Sequence, residues 1–251
     1  IMQVVAQLAM EQPVSFTDSD VRVEKIKALR SLRVYTPSEA ASNFVRGQYD
    51  AGQNTNAYRD EDGVDPNSNT ETFVAAKLLF DNYRWSGVPF YVRTGKKLAD
   101  KFTRIDVVFK KPLIDIFANP RMKSDQSLKS NVLTIFVEPD AGFSLRVNAK
   151  SAGQGFNTEP VDLKFMQDDS TKAESPEPYE RLFHDALEGN HTNFASWSEI
   201  AYAWKFVDVA RKLWDIEEPQ FPNYIPGSMG PVAAEELLER DGRQWVYRLN
   251  K

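Results

Sequence analysis

No cysteine occurs among the 251 residues. Disulfides, thiolate zinc centres and a cysteine nucleophile are therefore excluded, and the composition fits a reducing cytoplasm. Histidine is scarce as well. His184 and His191 are the only two; they lie seven apart with no H-E-x-x-H pattern, which argues against a zinc hydrolase, and no metal site is expected. No apolar run approaches the roughly 18 residues of a membrane span, so no membrane partner is expected. Nor is positive charge in excess: the formal net charge is −5, so nucleic acid is not an expected partner. Internal repeats and low-complexity tracts are also missing.

Several catalytic signatures fail on inspection. Gly95-Lys96 cannot close a P-loop, because Phe90 stands where its first glycine belongs and Lys97 where Ser or Thr is needed. Gly153-Gln154-Gly155 lacks the third glycine of a dinucleotide fingerprint and sits among strands. No G-x-S-x-G elbow is found. With 36 acidic residues, chance carboxylate pairs abound, so a hydrolase built on such a pair has no anchor and is the most distant reading.

What the chain does have is a core. It is 41% hydrophobic, with 16 Phe, 9 Tyr and 5 Trp, enough for one sizeable domain, and residues 1–251 are read as a single one. Ile1, Val4, Val5 and Leu8 follow helical spacing from the first residue. With no N-cap and no acidic first turn, this start reads as a cut inside a helix of a longer protein. Thr17 or Asp18 caps a second helix with Val21, Ile26, Leu29 and Leu32 inward. A short helix is expected over Pro37–Phe44, then an acidic loop from Gly47 to Asn69.

Strands follow over 72–80 and 89–93. The alternating segments "TRIDVVFK", "NVLTIFVEP", "FSLRVNAK" and "VDLKFMQ" continue them, with Pro139–Gly142 as a hairpin turn. After a polar linker over 168–178, helices return at Pro178–Glu188, which ends at Gly189, and at Ser198–Trp214. The second carries Ile200, Ala203, Trp204, Val207, Ala210 and Leu213 as its buried stripe. A last short helix follows "IPGSMG". Helices, consecutive half-polar strands, then helices again predict an α+β fold with a large, mostly antiparallel sheet flanked by helices.

One stretch raises a chemical question. "FYVRTGKKLADK" (Phe90 to Lys101) runs from a strand into a glycine and three lysines. Lysine is a compact cation with three donors, suited to the phosphate or hydroxyls of a sugar phosphate. Gly95 would allow the tight turn that presents Lys96. A hydrated turn after a strand explains the same residues, and chemistry alone leaves both readings open.

The run "DNYRWSGVPFYVRTGKKL" (Asp81 to Leu98) resembles the C-terminal domain of the glucose-6-phosphate dehydrogenase family, in which an R-W-x-G-V-P-F strand leads to a G-K turn. Similar pieces stand in order along the chain: "AMEQP" (Ala9 to Pro13), "GQY" (Gly47 to Tyr49), "TETF" (Thr70 to Phe73), "EPYERLFHD" (Glu177 to Asp185) and "GSMGP" (Gly227 to Pro231). The likeness is to bacterial members of the lactic-acid type.

The resemblance implies oxidation of β-D-glucose 6-phosphate at C1 to the lactone, the first step of the pentose phosphate pathway, with hydride passing to NADP or NAD. It also implies a cytoplasmic homodimer joined through the sheet, whose other face covers helices. In the family an N-terminal Rossmann domain holds the coenzyme, and a histidine just before a helix like the first one here is the base. Neither is in this chain, so the chain alone is expected to be inactive and to bind no cofactor. Lys96 and Lys101 match the two lysines that reach the sugar phosphate, whereas Lys97 is expected to be solvated. Glu138 in "FVEPDAG" matches the partner that orients the histidine; Asp or Gln stands there in some relatives. Tyr179 in "EPYERL" matches a tyrosine supporting the substrate site, although a core aromatic would fit that position too. Arg93 matches one contact of a second, structural nucleotide site in some members. Phe136 and Ser144 replace an Arg and a Tyr of that site, so no structural nucleotide is expected. The rival reading is a non-catalytic dimerisation or sugar-phosphate-binding module of the same fold.

Overall fold

The computed structural model describes residues 1–114, 128–153, 157–168, 170–171 and 176–249. The polar linker over 168–178 and the Gly153–Gly155 run lie partly outside them. The described elements are helices α1 (Met2–Ala9), α2 (Asp18–Arg30) and α3 (Pro37–Asn43), strands β1 (Phe44–Gly47), β2 (Phe73–Leu78) and β3 (Phe90–Gly95), and strands β4 (Thr103–Val108), β5 (Val132–Glu138), β6 (Gly142–Lys150) and β7 (Thr158–Met166). Helices α4 (Pro178–Glu188), α5 (Trp197–Trp214) and α6 (Ala233–Glu239) close the order. Contacts gather into two compact units, Ile1–Ala99 with Glu177–Lys251, and Asp100–Pro176.

In the first unit, local chemistry explains where the helices start. Thr17 Oγ1 accepts the Asp20 N–H at 3.4 Å. Asp18 and Asp20 lie in the first turn of α2, with Lys27 and Arg30 in its last, a charge order that suits the helix dipole. Capping boxes open α3 (Thr36 with Glu39) and α5 (Ser196 with Glu199). Helix α4 runs from Pro178 to a left-handed Gly189, as its sequence predicts.

Strands β1, β2 and β3 form an antiparallel sheet in that order. It is buried on both faces. Ala76 and Leu78 of β2 join Val5, Ala28, Phe44 and Phe206 in one core. Phe73 and Ala75, one pleat away, join Val45, Tyr224, Leu237 and Leu238 in another. Alternation along a single strand thus feeds two cores.

Three sequence expectations shift here. Phe44, expected to end a helix, opens β1, which pairs with β2 in the register Phe44↔Ala76. On α5, Trp204 is 48% exposed and Phe206 takes the core at 2%. The inner face of α5 holds Glu199, Phe206 and Ala210, with Val207 and Leu213 of the expected stripe packed against the same core, and Lys25 of α2 pairs with Glu199 at 3.0 Å, so a buried ion pair shares the face with apolar side chains. On α2, Glu24 and Lys25 are buried and Ile26 only partly so.

The second unit is an antiparallel meander, β4-β5-β6-β7. Its register aligns Ile105 with Ile135, Leu133 with Leu145, and Phe143 with Phe165, giving one apolar face. The other face carries ion pairs, Arg104 with Asp106 and Arg146 with Asp162. The expected α+β class and antiparallel pairing hold, with the described strands divided between sheets of three and four. The division falls where the main chain after β3 hydrogen-bonds to loop segments and leaves the ladder. No described helix is long and apolar enough to cross a membrane.

Candidate substrate-binding turn

Strand β3 delivers the chain to Gly95, and the turn follows at Lys96 and Lys97. The left-handed residue is Lys97 (φ 52°), not Gly95. Gly95 is needed for space instead: a Cβ there would stand 2.6 Å from Cδ2 of Phe73. Gly230 (φ 104°) closes on the same ring, its added Cβ 2.6 Å from Cζ.

The turn is held through its main chain. The Lys96 N–H donates to the Thr72 carbonyl at 2.8 Å, the Gly227 N–H to the Lys97 carbonyl at 2.9 Å, and the Ala99 N–H to the Ser228 carbonyl at 2.9 Å. The Tyr224 hydroxyl donates to the Lys96 carbonyl at 2.9 Å and lies 2.9 Å from Thr72 Oγ1. Thr72 Oγ1 in turn accepts the Tyr49 N–H at 3.1 Å. Gln48, next in the chain, is buried and donates to the Ser68 and Thr70 carbonyls. Sequence pieces spread from Gly47 to Pro231, "GQY", "TETF", "GKK" and "GSMGP", therefore meet at one turn.

Charge is arranged around it. Tyr49 donates to Glu61 Oε1 at 2.6 Å; burial, with the Glu61 carboxylate beside it, pushes the Tyr49 hydroxyl pKa up. The same oxygen lies 3.9 Å from Lys97 Nζ, so the Lys97 head faces Glu61 across the limit of an ion pair. Lys96 is exposed and forms no ion pair among the described residues. A rigidly rooted ammonium without a carboxylate partner suits an anionic or hydroxylated ligand.

The other predicted residues are placed as follows. Lys101 and Glu138 belong to the second unit, where Thr103 of β4 pairs with Glu138 of β5. That register brings Glu138 to the sheet end at which Lys101 enters; both are exposed. Tyr179 stands in the first turn of α4 and is 76% exposed, so it is not a core aromatic. His184 is exposed and lies 3.6 Å from Glu188 on its own helix. Arg93 lies over the Trp245 ring, 4.3 Å from its centroid, and donates to the Tyr247 carbonyl at 2.8 Å. Among the described residues no group of three or more His, Asp or Glu could hold a metal ion. Sequence reasoning missed Thr72, Tyr224 and Glu61. Two of them lie in or beside family-like pieces, but spacing could not reveal that they meet.

Solved structures define the class first. The fold is shared with the glucose-6-phosphate 1-dehydrogenase of Mycobacterium avium, at TM-score 0.79 and 29% identity over 100% of this chain and 50% of that one. It is shared equally with a glucose-6-phosphate dehydrogenase in complex with its substrate glucose-6-phosphate, at TM-score 0.83 and 29% identity over 98% of this chain and 49% of that one. Among sequence relatives, the glucose-6-phosphate 1-dehydrogenase of Bacillus subtilis is 46% identical over 98% of this chain and 50% of its own. That of Leuconostoc mesenteroides is 42% identical over the same shares. The family described as glucose-6-phosphate dehydrogenase, C-terminal domain, matches residues 1–246. The chain belongs to this family, and it spans about half the length of the relatives it matches.

Proposed function

We propose that residues 1–251 are the substrate-binding and dimerisation domain of a longer enzyme that oxidises D-glucose 6-phosphate to the 6-phosphoglucono-lactone, the entry reaction of the pentose phosphate pathway. The observation that carries this reading is the Lys96 turn, a cation without an ion-pair partner among the described residues on a main chain clamped by motif residues from across the sequence.

Lys96 and Lys101 bind the sugar phosphate, and Tyr179 supports the site. Glu138 orients a histidine base carried outside this chain: a carboxylate there fixes the imidazole tautomer and favours the imidazolium as the C1 hydroxyl proton leaves. NADP or NAD accepts the hydride. The described residues do not fit a dinucleotide site, since no glycine-rich strand-to-helix turn is among them, and the coenzyme is assigned to the other half. A second nucleotide is not expected either: Arg93 is engaged by Trp245 and Tyr247, and Phe136 lies between Arg104 and Lys164. The enzyme is a cytoplasmic homodimer joined through a sheet.

Lys96→Ala in the full-length enzyme tests the reading. The KM for glucose 6-phosphate rises while kcat changes little, because the contact exists in both ground and transition states. An unchanged KM would return Lys96 to the class of hydrated turn lysines.

A further inference from the structure

We infer that Tyr224 is a positioning residue for substrate binding, its buried hydroxyl fixing the main chain of Lys96 and so aiming the lysine's ammonium. The inference rests on Lys96 being a substrate contact, as proposed above.

Tyr224 is 4% exposed and 128 residues from Lys96 in sequence. Its oxygen has three partners: the Lys96 carbonyl at 2.9 Å, the Thr72 carbonyl at 3.2 Å and Thr72 Oγ1 at 2.9 Å. Thr72 holds the other side of the same residue, its carbonyl accepting the Lys96 N–H. Both polar groups of the Lys96 main chain therefore end on one buried Thr–Tyr pair. Burial raises the pKa of the Tyr224 hydroxyl against the opposing effect of its hydrogen bonds, so it is a donor at neutral pH.

The anchoring matters because of the neighbours of Lys96. Lys97 is left-handed, a conformation that a residue with a side chain holds only where its surroundings enforce it. If the Lys96 carbonyl lost its donor, the Lys96–Lys97 peptide could relax, and the ammonium at the end of a four-carbon stem would sweep a wide arc. A lysine rooted on fixed main chain loses less freedom when a ligand binds, which is how preorganisation raises affinity. The Tyr224 ring, 5.7 Å from that of Phe73 and 6.3 Å from that of Tyr49, fills the core, and the hydroxyl alone does the positioning. Ring and hydroxyl can be separated by mutation.

Steady-state kinetics on the full-length enzyme test this with Tyr224→Phe, Lys96→Ala and the double variant. Removing one net hydrogen bond predicts a roughly three- to tenfold rise in the KM for glucose 6-phosphate in Tyr224→Phe, with kcat within about twofold of the parent. In the double variant the rise should not exceed that of Lys96→Ala alone, because the tyrosine acts through the lysine. A general loss of structure would multiply the two effects. An unchanged KM in Tyr224→Phe, or full multiplication in the double variant, overturns the positioning role. An unchanged KM in Lys96→Ala overturns the substrate reading itself, and the inference with it. Should Tyr224→Phe fail to fold, Tyr224→Met, which likewise fills the site without a donor to the Lys96 carbonyl, takes its place in the same cycle and is judged by the same outcomes.

Discussion

Lys25 and Glu199 are the deepest charges among the described residues, and replacing Lys25 with Met should damage the fold more than any surface charge change. The Lys25 side chain is 5% exposed and that of Glu199 0%, with Nζ 3.0 Å from Oε2. Glu199 Oε1 is committed elsewhere, accepting the Ser196 N–H at 3.1 Å and the Ser196 hydroxyl at 2.9 Å. Oε2 has no hydrogen-bonding partner among the described residues apart from this lysine. Lys25→Met therefore strands a buried carboxylate oxygen where water cannot reach it.

Breaking such a pair from one side costs about 3–5 kcal/mol. At about 2–4 °C per kcal/mol for a chain of this size, the melting temperature should fall by roughly 6–20 °C. The double variant Lys25→Met/Glu199→Met removes both charges and should recover most of the loss of the pair, leaving about 1 kcal/mol for the broken capping box at Ser196. Urea unfolding followed by tryptophan fluorescence reads all three proteins. A Lys25→Met protein within about 1 kcal/mol of the parent, or a double variant less stable than Lys25→Met, would refute the claim that this pair is desolvated and mutually dependent.

Other expectations can be checked with the same proteins. Gly230→Ala should destabilise by about 2 kcal/mol or more, since the position combines left-handed backbone with a Cβ driven into the Phe73 ring; a melting temperature equal to the parent's would contradict that packing. Burial acts to raise the pKa of Asp241, but hydrogen bonds from Lys77 and Tyr91 outweigh it, so the carboxyl lies below its ordinary value of 3.8. A lowered folded-state pKa contributes stability that is present above the unfolded value and is lost as pH falls through the folded one. Asp241→Asn should thus weaken the protein at neutral pH by about 1 kcal/mol, and the gap should narrow below about pH 4; a gap independent of pH would argue against the charge. Glu138→Ala in the full-length enzyme should lower kcat, and a normal kcat would remove its orienting role. This chain alone, mixed with glucose 6-phosphate and NADP, should form no NADPH, whereas measurable turnover would mean that a base and a coenzyme site lie within it.

Regular elements were legible where one physical signal dominated. The capped start of α2, the Pro178-to-Gly189 limits of α4 and the alternation of β4 to β6 are local, and adjacent residues carry each signal. The misreadings share a cause. Phe44 looks like a helix residue until β2 offers it a partner. Trp204 and Phe206 are both aromatic, and the one that faces inward shares its face with Glu199, which pairs with Lys25. Periodicity counts apolar positions, so a buried ion pair on the inner face of a helix is invisible to it.

The site shows the same limit from the other side. Lys96 stands out in the sequence because it carries charge beside a glycine, but the tight turn that Gly95 suggests there is not what Gly95 provides. Left-handed backbone falls on Lys97, and Gly95 exists to admit Phe73, a residue 22 positions earlier whose ring no turn rule would consult. Tyr224 and Thr72 escaped notice because their contribution is a hydrogen bond to main chain, and the main chain of Lys96 is chemically the same as that of any other residue. Side-chain chemistry is written in the alphabet of the sequence. The fixing of a backbone peptide is not, and it emerges only when β2, the Lys96 turn and the 224–228 segment are brought together. A lysine that binds and a lysine that is merely hydrated can therefore be spelled alike, and the difference lies in what holds the peptide beneath them.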